Sequence, residues 1–342
     1  MVYSFELIKH ANIRYREYLP VLARCELFVM LFSLDISCEI RTESFGGSTF
    51  LTFECRELSD QELIFLFRHS TVVFMAENHD GLLRPLSVAS GAFFGDDLPE
   101  VLKYKGKTSV SFTRMMINIT SAFFACRQKA APLTFLDPVC GKGTGCFCAV
   151  ADGMNAVGID MDHKDIREAS DYFVRYLKFH RIKHEQKSHS ETFCNHVVPV
   201  TEFRYSDSKE HYQAGNVRTL SFSCADTADS PALFRKRKAH ILAADLPYGI
   251  QHAPHSETGT EPLRIFLRRV LPAWKQCLSN GGTLALSFNT LTLDSHDVRK
   301  ALMEVGFKLP QNELFTHLQH EVEHAVVRDV VFAFNTQEES EI

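Results

Sequence analysis

Between Leu133 and Phe334 the chain alternates short apolar runs with amphipathic stretches, and this alternation constrains the fold more than any other feature. The strand candidates are Leu133–Asp137, Ala156–Asp160, Thr219–Ser223, His240–Asp245, Thr283–Phe288 and Val326–Phe334, with helices over about 144–152, 164–182, 261–279 and 295–305. Strands that alternate with helices pair in parallel and carry helices on both faces, so the expected class is α/β with a doubly wound sheet. The last strand follows Val305-Gly306-Phe307 and is expected to pair antiparallel at an edge.

The first part of the chain has a different order. Val2 to Leu7 reads as a strand, Tyr15 to Leu31 as a helix, and Cys38–Glu43 with Ser48–Cys55 as a strand pair around the turn residues Gly46-Gly47. Ser59 is a cap with Glu62 three residues on, before Leu63, Leu66 and Phe67 on one helix face, and Thr71 to Ala76 closes the set as a strand. The order β-α-β-β-α-β is that of a small α+β, ferredoxin-like domain. The division expected is 1–80 for this domain, 81–108 for a linker rich in Gly and Pro, 109–336 for the α/β domain and 337–342 for an acidic tail.

Composition excludes more than it identifies. With 45% hydrophobic and 23% charged residues the chain is of ordinary globular type, neither disordered nor membrane-spanning. The net charge of −5 offers no global attraction for nucleic acid, so any such contact has to be local. Ten cysteines include no C-x-x-C pair, and Met1 to Glu6 lacks the charged start of a secretion signal, so reduced thiols, a cytoplasmic location and no metal centre are expected.

"FLDPVCGKGTG", Phe135 to Gly145, joins a strand to a helix, where Gly141 and Gly143 permit backbone conformations closed to other residues and let a ligand approach closely. The next strand ends "VGIDMD", placing Asp160 at its carboxyl end, 23 positions after Asp137, where an acid accepts from ribose hydroxyls. The third ends "SFSCAD", placing Asp226 at the same rim. A dinucleotide would set its pyrophosphate at the helix start, but Asp137 would repel an anion there and favour a cation. S-adenosylmethionine meets these demands, with an ammonium and a sulfonium near the loop, a ribose for Asp160 and an adenine amine for Asp226.

The fourth strand runs into "DLPYG", Asp245 to Gly249, at that same rim. Methyl transfer to an exocyclic or amide nitrogen has to draw a delocalised lone pair toward the methyl group. Asp245 and the Leu246 carbonyl can each accept an N–H, Tyr248 can stack on a flat base, and Pro247 fixes the peptide between them. Together "DPVCGKGTG", "GIDMD" and "DLPYG" resemble the class I S-adenosylmethionine-dependent amino-methyltransferases with a D-P-P-Y or N-P-P-Y motif, and among them most closely the tRNA guanine-N2 methyltransferases of the guanosine-10 type.

The resemblance covers about residues 108 to 335 and implies a Rossmann-like methyltransferase domain. It implies Asp137, Gly141, Gly143, Asp160 and Asp226 around S-adenosylmethionine, with Pro138, Cys140, Thr144 and Met161 beside them, and Asp245, Leu246, Pro247 and Tyr248 at the target nitrogen. Its implied substrate is structured RNA, tRNA above all, and the need for an accessory protein subunit as a further partner is left open by the sequence. Two departures stand out: Leu246 replaces the first proline of the motif, and the amino-terminal segment is too short for the THUMP module that many members add to the ferredoxin-like one. Adenine-N6 methylation of DNA or rRNA, glutamine methylation of a protein, and a binding scaffold without turnover are the competing readings.

Other stretches are weighed beside these. Arg175, Lys178, Arg181, Lys183 and Lys187, with interleaved aromatics, suit phosphate contact, although a solvated surface accounts for them equally well. A metal site from His180, His184, Cys194 and His196 is the weaker reading of that segment. Arg235 to Lys238 precedes the fourth strand and so falls at the end of the sheet opposite Asp245. Residues 250 to 262, with His252 and His255, form either a lid or an ordinary loop, and Cys140, Cys146 and Cys148 are small packing residues.

Overall fold

A computed structural model of the chain describes residues 1–104, 106–128, 131–193, 196–234, 237–247, 255–256, 259–260, 262–323 and 326–337. The first sheet is built from β1 (Val2–Leu7), α1 (Ile13–Phe32), β2 (Ile40–Phe45), β3 (Ser48–Glu54), α2 (Asp60–Leu66), β4 (Val72–His79) and β5 (Leu82–Pro85). Its strands lie in the order β2-β3-β1-β4-β5, all pairs antiparallel. The first four strands and two helices thus form the ferredoxin-like arrangement expected, and β5 extends it as a hairpin through Asp80 and Gly81, both at positive φ. The expected cap is present: the Ser59 hydroxyl accepts from Glu62 N, and the Glu62 carboxylate accepts from Ser59 N at 2.8 Å.

Two helices lead to the second sheet, α3 (Asp97–Val101) and α4 (Val110–Ala125). A buried polar network joins α1 to α4. Glu26 accepts from Ser70 N at 2.8 Å and from Asn118 Nδ2 at 2.7 Å, and Asn118 Nδ2 also donates to the Arg68 carbonyl. A buried carboxylate satisfied this way holds a unique relative placement of the elements it bridges. The surrounding apolar cluster is continuous, running from Phe5 and Leu27 through Phe112 and Phe123 to Phe135.

The second sheet comprises β6 (Thr134–Asp137), α5 (Thr144–Ala151), β7 (Asn155–Asp160), α6 (His163–Phe179), β8 (His184–Phe193), β9 (His196–Tyr205), α7 (Lys209–Gln213), β10 (Arg218–Cys224), α8 (Ser230–Phe234), β11 (Ala239–Asp245), α9 (Leu263–Cys277), β14 (Leu278–Asn289), α10 (Ser295–Glu304), β15 (His320–Glu323) and β16 (Val326–Asn335). A two-stranded pair, β12 (His255–Ser256) and β13 (Gly259–Thr260), lies between β11 and α9. The sheet order is β15-β16-β14-β11-β6-β7-β10-β9-β8. Strands β10, β7, β6, β11 and β14 are parallel neighbours, so the third, second, first, fourth and fifth strands of the alternation stand side by side. That is the doubly wound order, which reverses between β6 and β11 and opens a ligand crevice there.

Strand periodicity divides the core as the pattern requires. On β11, Ile241 and Ala243 face the cluster made with α4, α5 and α6, whereas Leu242 and Ala244 face the one made with α9 and α10. All six expected strands and four expected helices form, with shifts of a few residues at their ends. Two expectations need correction. The last strand pairs antiparallel with β14 but is not the edge, because β15 adds outside it. The segment after α6 is not merely a basic surface stretch: the helix stops at Phe179, Arg181 takes φ 54°, and the chain continues as the hairpin β8–β9 on the far side of β10.

β8 is the outermost strand and its sequence, HEQKSHSETF, has no apolar alternation, since an edge strand need not bury a face and is protected from further pairing by charge. The register also relocates the basic residues. His184 lies opposite Tyr205, which lies opposite Arg218 at the start of β10, so Arg181 and Lys183 sit at the end of the sheet away from Asp245. Arg237 and Lys238 precede β11 at that same far end, and Arg235 and Lys236 lie outside the described residues. The tail beyond Gln337 lies outside them too.

Candidate active site

The loop after β6 is shaped by its glycines. Gly141 and Gly143 have φ 49° and 84°, conformations costly for a residue with Cβ, and Gly143 stands as the cap of α5. Gly145 is needed for a different reason: a Cβ there would meet Asp137 Oδ2 at 2.5 Å. Asp160 holds the loop from the neighbouring strand, accepting from Gly141 N at 2.7 Å and from Asp162 N at 2.9 Å. These amides favour its ionised form, while burial pushes its carboxyl pKa upward on balance.

Asp137 is the electrostatic centre of the site. It is 7% exposed, and the amide of Val139 donates to it at 3.3 Å. Burial, reinforced by the negative charges of Asp160 and Asp245, pushes its pKa up to about 8 against the pull of that amide. Among the described residues, the groups that act on it most strongly include no cationic side chain. A desolvated carboxylate without a counter-charge disfavours its own ionisation and is relieved by a cationic ligand.

One cavity brings these groups together, lined by Tyr104, Thr108, Asp137, Gly141, Thr144 and Asp245 among others. Asp245 ends β11 beside the loop, and its Oδ2 accepts from the Thr108 hydroxyl. Tyr104 OH lies 2.8 Å from Thr144 Oγ1, and the Lys142 ammonium lies over the Tyr104 ring. A larger cleft opens on the sheet face carrying Thr219, Ser221 and Ser223, bordered by His189, Glu202 and Arg237, and shares none of the loop residues.

Leu246 explains how the chain departs from a D-P-P-Y motif. Its N–H donates to the Ser287 carbonyl at 2.8 Å, and its side chain is buried against the α9 cluster. A proline has no N–H to give, so here a hydrogen bond to β14 holds the backbone that a ring would otherwise restrain.

The remaining sequence candidates fall in several places. Pro138, Cys140 and Thr144 are buried in the loop, and Cys140 and Thr144 border the cavity. Met161 is at the rim but 45% exposed and does not line the cavity. Asp226 caps the turn after β10, accepting from Ala228 N at 2.8 Å, and both its oxygens accept from Arg269 Nη1 at 2.8 and 2.9 Å. Its carboxylate is therefore engaged by a cation from α9. Pro247 is half-buried, whereas Tyr248, Gly249 and His252 lie outside the described residues.

Among the described residues no cluster of three or more His, Cys, Asp and Glu is placed to hold a metal ion. His180 Nε2 is 2.9 Å from Asp97, and Cys194 lies outside the described residues. Cys146 and Cys148 are buried, as expected of packing residues. Tyr104 and Thr108 were not legible as site residues. Their one local signal is the spacing Tyr104, Gly106, Thr108 immediately before α4, inside a stretch otherwise read as a linker.

No protein-family model matches the chain, and no curated protein does. Solved structures resemble it in chain path. TrmN from Thermus thermophilus aligns over 87% of this chain and 59% of its own, at 16% identity and a TM-score of 0.41. This chain thus spans about 59% of the length of that protein. The magnesium protoporphyrin IX methyltransferase ChlM from Synechocystis PCC 6803, with bound SAM, aligns over 82% and 99% of the two chains, at 13% identity and a TM-score of 0.38. The T. thermophilus 16S rRNA N2 methyltransferase RsmC, in complex with AdoMet and guanosine, aligns over 87% and 58%, at 11% identity and a TM-score of 0.37.

Proposed function

We propose that the chain is an S-adenosylmethionine-dependent methyltransferase acting on an exocyclic amine of a nucleobase in RNA, guanine N2 in tRNA being the specific substrate. The observation that carries this reading is the burial of Asp137 in the same cavity as Asp245, at the β6/β11 reversal. When bound, S-adenosylmethionine supplies an electrophilic methyl group together with a positive charge beside Asp137. Asp137 would hold its cationic end, the amides around Gly141 and Gly143 allow close approach, and Asp160 keeps the loop in place.

Asp245 would accept one N–H of the target amine, and the Leu246 carbonyl the other. Two acceptors so placed turn the nitrogen lone pair toward the methyl donor and stabilise the positive charge that develops on nitrogen. Tyr248 would stack on the base, worth about 1–3 kcal/mol. In this reading residues 1–80 form a ferredoxin-like domain and 109–336 the catalytic domain of a cytoplasmic enzyme, with structured RNA as partner and an accessory subunit as a further one. Among the described residues no helix is long and apolar enough to cross a membrane.

The test is incubation with labelled methyl donor and total tRNA, followed by nucleoside analysis. N2-methylguanosine is expected from the wild type and its loss from Asp245→Ala. N6-methyladenosine would transfer the reading to adenine, and absence of label from all RNA would overturn it.

A further inference from the structure

The stretch before α4 is tied to the site at two points and closed on itself by a third contact. Tyr104 OH meets Thr144 Oγ1 at 2.8 Å, so this stretch touches the start of α5. The Lys107 ammonium donates to the carbonyls of Pro99 at 2.5 Å and Leu102 at 2.9 Å, which closes the turn. Thr108 Oγ1 then donates to Asp245 Oδ2, across 137 positions of sequence. The last torsion of a carboxylate has broad wells, so its plane follows the hydrogen bonds it makes. A donor that is itself held fixes the plane of that carboxylate, and a β-branched threonine has few rotamers of its own to lose.

We propose that Thr108 is a positioning residue for Asp245, setting the plane in which that carboxylate meets the target N–H. The inference rests on the reading of Asp245 as an acceptor for the target amine. It goes beyond that reading by placing part of the geometry in a segment outside the α/β alternation. The segment contributes nothing to the sheet, yet it borders the cavity on one side with Tyr104, Gly106 and Thr108.

The experiment compares wild type, Thr108→Val and Thr108→Ser. Valine keeps the branched shape and removes the hydroxyl; serine keeps the hydroxyl and removes the branch. For valine, kcat on RNA should fall about 10- to 100-fold, as expected for loss of a hydrogen bond to a charged group. Cofactor affinity by calorimetry should stay within about twofold, since the hydroxyl acts on Asp245 rather than on the donor. Serine should restore kcat to within about threefold of wild type. Crystal structures of wild type and the valine variant should show the Asp245 carboxylate plane rotated in the variant.

Undiminished kcat in the valine variant overturns the proposal, and so does a loss of rate matched by an equal loss of cofactor affinity, or a serine variant as slow as valine. Should the wild type transfer no methyl group to RNA, it is the functional reading that fails. The orientation of the Asp245 carboxylate in the two crystal structures then still decides the role of Thr108, an unchanged plane refuting it.

Discussion

Replacing Asp137 by asparagine tests the electrostatic argument without any substrate. In the unfolded chain an aspartate titrates near its ordinary value of 3.8, whereas burial holds the folded group at about 8. Between these values the folded state binds the proton and the unfolded state does not, so unfolding free energy falls as pH rises. The contribution is complete below the unfolded pKa and is lost progressively as pH climbs toward and through the folded one. Each pH unit inside that window is worth about 1.4 kcal/mol, or about 3 kcal/mol from pH 5 to pH 7. Asparagine keeps the shape and has no proton to lose, so its pH slope should be flatter by that amount.

The assay is denaturant unfolding of the ligand-free protein at pH 5, 6 and 7 for both chains, read as the difference between them, in which titrating groups remote from Asp137 cancel. Identical slopes would refute the claim that Asp137 is desolvated without a counter-charge, and with it the case for a cationic ligand. A second readout follows from the same linkage. If a cation binds beside Asp137, binding expels the proton, so the affinity of the wild type for S-adenosylmethionine should rise as pH goes from 6 to 8 and that of Asp137→Asn should be weak and flat.

Two further perturbations address the backbone. Gly145→Ala puts a Cβ 2.5 Å from Asp137 Oδ2, so either the carboxylate or the start of α5 has to move. A destabilisation of about 1–3 kcal/mol and at least a tenfold loss of S-adenosylmethionine affinity are expected, checked by unfolding and calorimetry. Leu246→Pro restores the D-P-P-Y spelling but removes the donor to Ser287 and empties a buried leucine site. It should lower the unfolding free energy by about 2 kcal/mol or more and leave turnover no faster, measured by unfolding and methyl incorporation.

What the sequence determined here was whatever repeats locally. Six strands of the second sheet were legible because buried strands are short apolar runs, and the glycine loop because Gly141 and Gly143 supply left-handed backbone that their neighbours cannot. The Ser59–Glu62 cap needed only residues three apart. The positions of Asp137, Asp160 and Asp245 at neighbouring strand ends followed from strand order alone, which a doubly wound sheet restricts to few choices.

Tertiary structure decided whatever depends on distant partners or on the lack of a buried face. Of the hairpin, β8 escaped because an edge strand carries no apolar alternation, β9 was not read although Val198, Val200, Phe203 and Tyr205 are buried, and β15 took the outer place beside β16 for which no local pattern speaks. Asp226 looked like one more acid at the rim until α9 brought Arg269 to within 2.9 Å of it. Thr108 reaches Asp245 only because the folded chain brings both to the lining of one cavity. Periodicity records how a residue meets its own neighbours along the chain, whereas a hydrogen bond across more than a hundred positions exists only once the sheet has assembled.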